Sequence, residues 1–155
     1  MSALLESLLG DERRAKCRAN DEYIVNDGDP HQRGLRILVV DDNHDMASTT
    51  STLLELEGHR TGVAHNGLEA VREATNVHYD AVLLDLGMPI MDGFEAAAVL
   101  GQLSPAPALI ACSAWDDAAT RSRTAALGFS MHLRKPFSLQ VLKAALRDIS
   151  SASAK

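Results

Sequence analysis

The sequence predicts an α/β domain built on a parallel sheet, and two observations lead to this prediction. First, short apolar runs recur along the chain, at residues 37–40, 81–84, 109–112 and 131–133. Second, the segments between these runs are long enough to hold the crossover helices that parallel strands require. In an open sheet of this kind the carboxyl ends of the strands share one edge, and that edge carries the site.

The first half of the domain is predicted to contain three strands and the helices between them. In order, these elements are strand 36–40, helix 44–57, strand 59–64, helix 66–76 and strand 79–84. Met46, Leu53 and Leu56 fall on one stripe of the first helix, which we expect to face the core, and Gly58 ends that helix. The second strand is short and polar, as an edge strand would be. The third is the most apolar and is therefore expected at the centre.

The second half continues the alternation of helices and strands. Its predicted elements are helix 94–103, strand 108–112, a helix that Gly128 ends, strand 130–134 and helix 138–149. Asp116 and Asp117 suit the first turn of the fourth helix, where the helix dipole favours anions. Ser138 is expected to cap the last helix, and the small polar tail at 151–155 is expected to fray.

The composition indicates one globular domain and argues against a nucleic-acid or membrane protein. The chain has 155 residues, of which 46% are hydrophobic and 23% charged, with a formal net charge of −6. No basic stripe offers a surface for nucleic acid or anionic lipid. Two cysteines cannot make a disulfide framework, and neither a secretory signal nor a bilayer-length apolar run is present. We expect a soluble cytoplasmic protein.

Residues 1–34 differ in character from the predicted domain at 35–150. A short apolar face precedes a charged stretch, and it consists of Leu4, Leu5, Leu8 and Leu9. The favoured interpretation is a mobile leader joined to the domain by a turn-rich linker. The alternative is an amphipathic helix that docks on a partner or on a second copy of the chain.

Five polar residues stand where the apolar runs stop, and they are Asp41, Asp42, Asp85, Ser113 and Lys135. Each alone has an ordinary interpretation, as a strand-end acid or hydroxyl, or as a solvated lysine. Together they favour a site, because burying three like charges at one edge is costly unless a cation offsets them. Magnesium fits, since it prefers oxygen ligands and takes only one or two protein carboxylates along with phosphate oxygen.

The same residues suit the chemistry of phosphoryl transfer. Asp85 ends the most apolar strand and is the best nucleophile, and its attack on a phosphoryl group would give an acyl phosphate. The metal would screen the repulsion between the two anions. Lys135 would supply a second positive charge, and the Ser113 hydroxyl a hydrogen bond to a phosphoryl oxygen.

Four stretches closely resemble the receiver domain of two-component response regulators, and they are 37–43, 64–70, 80–93 and 135–137. The resemblance covers residues 35–149. It implies a flavodoxin-like (βα)5 three-layer sandwich with strand order 2-1-3-4-5. It also implies that Asp85 accepts a phosphoryl group from a histidine kinase or a histidine phosphotransfer protein. Such a domain catalyses only its own phosphorylation and slow dephosphorylation and is not otherwise an enzyme.

The resemblance also assigns roles to individual residues. It implies four magnesium ligands, namely the carboxylates of Asp42 and Asp85, Asp41 through a water molecule, and the carbonyl of Gly87. The backbone N–H groups of Gly87 and Ala114 would join Ser113 and Lys135 around the phosphoryl oxygens. The Lys135–Pro136 peptide bond is expected to be cis, which would aim the lysine inward.

Three residues depart from the family pattern. Gly87 replaces a longer polar side chain, and Trp115 is bulky and apolar where the family controls the access of hydrolytic water. We therefore predict slow loss of the phosphoryl group. His132 occupies the position of the switch aromatic, usually Tyr or Phe, which would act together with Ser113. The alternative is a half-buried strand histidine without a switching role.

The predicted output is altered packing of the fourth helix, fifth strand and fifth helix. This face would contact a downstream protein, mediate homodimerisation or pass the phosphoryl group on, because too few residues follow 149 for an effector domain. The chain could equally be the receiver part of a hybrid histidine kinase. Another alternative is a magnesium-dependent phosphatase of the haloacid dehalogenase kind, with Asp41 as nucleophile. That class needs a further acidic motif after the strand that precedes the lysine, and only Asp148 lies downstream, deep in the last helix. A pseudo-receiver that is never phosphorylated is disfavoured, because every required group is present.

Overall fold

The structure is a computed structural model, and it describes residues 34–88, 91–115 and 117–153. The expected leader, including its alternative as an amphipathic helix, falls on residues 1–33 and so lies outside the described residues. Within the described part of the chain, no helix is both long and apolar enough to cross a bilayer.

Five parallel strands form one sheet in the order β2-β1-β3-β4-β5, as the resemblance implied. They are β1 Arg36–Val40, β2 Arg60–Ala64, β3 Ala81–Asp85, β4 Ala108–Ser113 and β5 Met131–Arg134. The third strand is central and the second lies at an edge, so both placements predicted from polarity are confirmed. Val40 pairs with Leu84, and therefore residues 41 and 85 leave the sheet at the same level.

Five helices connect and follow the strands. They are α1 His44–Leu56, α2 Gly67–Asn76, α3 Gly93–Leu100, α4 Ala118–Ala126 and α5 Leu139–Ser153. Four start with a side-chain cap in which an Asn or Asp oxygen accepts a backbone N–H three residues on, namely Asn43, Asn66, Asp92 and Asp117. Each such cap stabilises a helix start by about 1 kcal/mol. The caps fix the loops at the carboxyl edge of the sheet.

The core consists of two clusters, one on each face of the sheet, which makes the fold a three-layer sandwich. On one face, Ile37 and Val39 pack with residues from α1 and α5. On the other, Leu38 and Val40 pack with residues from α2 and α3. Alternate residues of a strand point to opposite faces, so a strand in the middle must be apolar throughout, as β1 and β3 are.

The orientation of α1 corrects the sequence prediction. The residues of α1 that face the sheet are Ala47, Ser51 and Leu54. Met46 and Leu56 are 43% and 78% exposed, so the expected core stripe points outward instead. Small side chains at 47 and 51 let the helix lie close to the sheet, and the Ser51 hydroxyl forms a hydrogen bond with that of Thr61 on β2 at 2.5 Å.

Several predicted boundaries also shift. β3 begins at Ala81 rather than at 79, and the carboxylate of Asp80, the residue before it, accepts the N–H of Arg36 at 2.8 Å. α3 ends at Leu100 and not at 103, with Gly101 as its cap. Asp117 caps α4 instead of lying in its first turn. α5 runs through Ser153, past the expected end at 149, because its small residues continue the helix.

Candidate functional site

Three carboxylates meet at the carboxyl edge of the sheet. Asp41 and Asp42 follow β1, Asp85 ends β3, and one oxygen of each lies within 4.8 Å of the others. Asp41 and Asp85 are buried, at 6% and 8% exposure, whereas Asp42 is open to solvent. The adjacency of β1 and β3 in the sheet brings these residues together, although more than forty positions separate them in the sequence.

Lys135 lies between the two buried carboxylates. Its Nζ donates to Oδ2 of Asp41 at 2.8 Å and lies 3.4 Å from Oδ2 of Asp85. The lysine follows β5, and its backbone N–H donates to the carbonyl of Ser113 at the end of β4, at 2.8 Å. The Lys135–Pro136 peptide bond is cis, as predicted. The lysine therefore faces the acidic cluster.

The two buried carboxyl groups differ in acidity. Burial acts to raise the pKa of Asp41, but hydrogen bonds from Lys135 and the Asn43 N–H, with the lysine's charge, outweigh it and lower the pKa. For Asp85, burial prevails over the Gly87 N–H and Lys135, and the charge of Asp41 adds to it, so its pKa is raised. Burial alone would lower the pKa of Lys135, yet the two carboxylates raise it. The lysine therefore stays charged, and Asp85 is the carboxylate short of compensating charge.

The donor set of this cluster fits a hard divalent cation. Three carboxylates face a single ammonium group, so the cluster keeps an excess of negative charge at neutral pH. Oxygen-only ligands of this kind, two of them buried and one exposed, can hold a metal ion. They match the preference of magnesium for carboxylate oxygens and retained waters.

Groups that could bind phosphoryl oxygens surround Asp85. The Gly87 N–H donates to Oδ1 of Asp85 at 3.1 Å. Ser113 is 1% exposed, and its Oγ accepts the N–H of Trp115 at 2.9 Å. Ala114 directly follows β4 and is exposed. Of the residues assigned to the phosphoryl site, Lys135 and Gly87 contact Asp85 directly, and Ser113 and Ala114 lie at the end of the neighbouring strand β4.

The side chain of Trp115 lies against Gly87. A Cβ atom placed on Gly87 would be 3.3 Å from Cζ3 of the indole, although the tryptophan as a whole is 61% exposed. A side chain at position 87 would therefore press on the ring. The two departures from the family pattern form a single contact, which sequence reasoning treated as two separate features.

The backbone of Trp115 connects Ser113 with His132. The carbonyl of Trp115 accepts a hydrogen bond from Nε2 of His132 at 3.1 Å, while its N–H donates to Ser113. Nδ1 of His132 is buried and has no partner within the described residues. One hydrogen bond therefore holds the His132 ring, and its acceptor is Trp115, the residue whose N–H also bonds to the predicted switch serine, Ser113. No sequence signal indicated this link.

An apolar groove borders the acidic cluster. It lies between α1 and the start of α5 and has a volume of about 130 Å³. Met46 and Leu53 of α1 line one wall, and Phe137 and Leu139, at the start of α5, line the other. Lys135 is also part of its lining, so the groove is continuous with the acidic cluster. We call it the α1–α5 groove. The outward stripe of α1 that sequence reasoning assigned to the core forms one of its walls.

Comparisons with known proteins agree with the fold. A model described as the response regulator receiver domain matches residues 37–147. The transcriptional regulatory protein PrrA of Mycobacterium leprae is 37% identical over 119 residues, which are 74% of this chain and 49% of that protein. Probable histidine kinase 1 of Oryza sativa is 35% identical over 88 residues, 55% of this chain and 9% of that protein.

A solved structure shows the same likeness. The receiver domain of a Francisella response regulator superposes with a TM-score of 0.73 at 28% identity, covering 77% of this chain and 99% of that one. The present chain spans about half the length of the curated regulators it matches.

Proposed function

Because this chain belongs to the response regulator receiver domain family, we propose that it is a phosphoacceptor of a two-component system and that Asp85 takes the phosphoryl group from a phosphohistidine. The observation that carries the proposal is the contact of Lys135 with both buried carboxylates in a cluster that also includes Asp42. The three carboxylates outnumber the lysine, so a bound magnesium ion would be needed to offset their charge before the pocket could accept an incoming anion.

The hydrogen bonds to the two buried carboxylates favour Asp85 over Asp41 as the nucleophile, because those of Asp41 are shorter and hold its oxygens more tightly. Both oxygens of Asp41 are engaged, Oδ2 by Lys135 at 2.8 Å and Oδ1 by the Asn43 N–H at 3.0 Å. The corresponding contacts of Asp85, to the Gly87 N–H and Lys135, are longer at 3.1 and 3.4 Å. This difference disfavours the phosphatase alternative, which requires Asp41 to attack.

The transfer step uses groups already in place. An oxygen of Asp85 attacks phosphorus, and a P–O bond forms as the P–N bond of the phosphoimidazole breaks. The donor ring, protonated on its other nitrogen, leaves as neutral imidazole. Magnesium, held by the carboxylates of Asp42 and Asp85, Asp41 through water and the Gly87 carbonyl, would supply positive charge for the developing oxyanions. Lys135 supplies the second positive charge. The N–H groups of Gly87, two residues after Asp85, and of Ala114, just past the end of the neighbouring strand β4, would bind phosphoryl oxygens.

Ser113 would carry the signal away from the site. Its hydroxyl has one proton to donate, and it can give this proton to a phosphoryl oxygen while still accepting the Trp115 N–H. If the serine turns toward the phosphoryl group, Trp115 must follow or lose that bond. Since the carbonyl of the same residue holds His132, the displacement reaches β5. We infer that α4, β5 and α5 form the face that a downstream protein or a second copy reads.

The phosphodonor is expected to dock on the α1–α5 groove. A donor histidine must reach Asp85, so the surface around that histidine has to contact the rim of the acidic cluster. The groove is the apolar part of this rim, and Met46 and Leu53, at 43% and 38% exposure, have no covering element within the described residues. A helix of a histidine kinase or phosphotransfer protein, with an apolar face beside its histidine, would cover them.

The test is phosphorylation by a small acyl phosphate with magnesium, followed by intact-mass measurement. We expect the wild type to gain one phosphoryl group, and Asp85→Asn or chelation of magnesium to abolish the gain. Asp45→Asn serves as the matched control, because Asp45 is an exposed acid in the first turn of α1 and is not part of the cluster. Absence of any mass gain in the wild type would identify a pseudo-receiver. Sustained turnover that depends on Asp41 and not on Asp85 would identify a phosphatase.

A further inference from the structure

Two histidines stack beside the acidic cluster. The ring centroids of His44 and His65 are 3.6 Å apart, and the ring planes differ by 6°. His44 is the first residue of α1 and His65 directly follows β2, so both lie at the carboxyl edge of the sheet. The proposed phosphoryl chemistry gives neither ring a role.

The hydrogen bonding of His65 leaves one ring nitrogen open. Its Nδ1 lies 3.3 Å from the carbonyl oxygen of Asp41. A carbonyl only accepts, so Nδ1 carries the proton in this contact and Nε2 keeps its lone pair. Metal-binding histidines characteristically donate the other ring N–H to a carbonyl or carboxylate, which fixes the tautomer and the ring orientation. His65 is therefore prepared as a ligand through Nε2.

His44 is free to complete such a site. Its side chain is exposed, and within the described residues it makes no hydrogen bond or ion pair. Because the stacked rings are parallel, their nitrogen lone pairs do not converge on one ion as they stand, and a shared ion requires the exposed His44 ring to turn out of the stack. The neighbouring carboxylates of Asp42 and Asp45, both exposed, make the local potential attractive to cations.

We propose that His44 and His65 form a binding site for a borderline divalent cation such as zinc, nickel or copper(II). Imidazole nitrogen suits these ions, whereas magnesium prefers oxygen ligands. Zinc-like ions should therefore prefer the histidine pair, and magnesium the carboxylate cluster. Water would fill the remaining coordination positions. The site borders the phosphoryl-accepting cluster through the Asp41 carbonyl that His65 contacts, and its occupancy does not require phosphorylation.

The experiment is a calorimetric titration of the full chain with zinc in the presence of saturating magnesium. We expect one zinc ion to bind, and His44→Ala and His65→Ala each to weaken this binding by roughly tenfold or more. His78→Ala is the matched control, because His78 is an exposed histidine in the loop before β3 and pairs only loosely with Asp80, at 3.8 Å. It should bind zinc as the wild type does.

Two further measurements separate this site from the carboxylate cluster. Asp85→Asn should retain the zinc site, and circular dichroism should show that the histidine variants keep the fold. The proposal is overturned if the wild type binds no zinc under magnesium saturation, if His44→Ala and His65→Ala bind like the wild type, or if zinc binding disappears with Asp85→Asn alone. These results do not depend on whether Asp85 accepts a phosphoryl group.

Discussion

Replacing Asp85 with Asn should stabilise the metal-free protein and destabilise the magnesium-bound one. In the absence of a cation, the Asp85 charge is attracted by Lys135 at 3.4 Å, worth about 5 kcal/mol at an effective dielectric constant of roughly 20. Repulsion from Asp41, at no more than 4.8 Å, offsets at least about 3.5 kcal/mol of this on the same scale. The exposed Asp42 adds a smaller repulsion, and burial penalises the charge further.

The raised pKa of Asp85 indicates that burial and charge repulsion together outweigh the attraction of Lys135. Because burial, together with the Asp41 charge, outweighs the Gly87 N–H and Lys135, ionising Asp85 at pH 7 costs folding free energy. We expect Asp85→Asn to stabilise the metal-free fold by about 1 kcal/mol, which corresponds to roughly 4 °C in Tm for a domain of this size. The effect should shrink as the pH falls through the raised pKa, since the wild-type carboxyl then becomes neutral in the folded state.

Magnesium should reverse this order. A cation that binds only the folded state adds about 2.7 kcal/mol at a concentration of about 100 times its Kd. Asp85→Asn loses an ionised ligand and should gain much less. Since about 1 kcal/mol of the magnesium effect only cancels the order of the metal-free proteins, the wild type becomes the more stable protein by roughly 1 kcal/mol. Urea unfolding followed by circular dichroism, with and without magnesium, measures both differences, and Asp45→Asn should show neither. A variant less stable than the wild type without magnesium, or a stability order that magnesium leaves unchanged, would refute the electrostatic reasoning.

Three other predictions concern single side chains outside the carboxylate cluster. Burial lowers the pKa of His59 from its ordinary 6.5 despite the charge of Glu57, so the unfolded chain binds more protons just below pH 6.5. Stability should therefore fall as the pH drops through this window, and His59→Asn should remove that slope in urea titrations. Trp115→Ala should speed loss of the phosphoryl group by roughly fivefold, about 1 kcal/mol in the barrier, because it uncovers Gly87; an unchanged half-life of the phosphorylated form by intact mass would contradict this. Leu53→Lys should slow phosphorylation by a protein donor roughly tenfold or more without changing the rate with a small acyl phosphate, and equal slowing with both donors would argue against the α1–α5 groove as the docking surface.

The fold was predictable because its signals are local and repeat. Each buried strand is an apolar run, and four described helices start at an Asn or Asp cap, while the Ser138 hydroxyl accepts the Val141 N–H at 3.2 Å at the start of α5, as expected. Polarity alone placed β2 at the edge and β3 at the centre. The carboxyl-edge rule for parallel sheets then predicts that Asp41, Asp85 and Lys135 meet. The rotation of α1 was not predictable in this way, because the helix has an apolar stripe on its outer side and only one large apolar residue, Leu54, beside the small Ala47 and Ser51 toward the sheet. Periodicity measures where the apolar residues are and does not reveal whether a partner or the core covers them.

The contacts that sequence reasoning missed join different loops. Trp115 meets Gly87 because β4 lies next to β3, and His44 meets His65 because β2 lies next to β1. The strand order makes these loops neighbours, but only side-chain directions decide which residues touch. Neither pair has a recurring spacing that would identify it in a sequence.

The way α4 is held supports its role in passing on a change at Ser113. This helix buries a single residue, Thr124, whereas α1, α2 and α3 each bury at least three. One lateral contact of α4 is the guanidinium of Arg123, which lies 3.7 Å from the centroid of the Phe94 ring on α3. A partly exposed contact of this kind is worth about 0.5–1 kcal/mol. The hydrogen bond between Ser113 and Trp115 is worth a similar amount. Rearranging the end of β4 therefore supplies free energy of the size needed to shift α4, whereas α1, α2 and α3 bury more residues and are held more firmly.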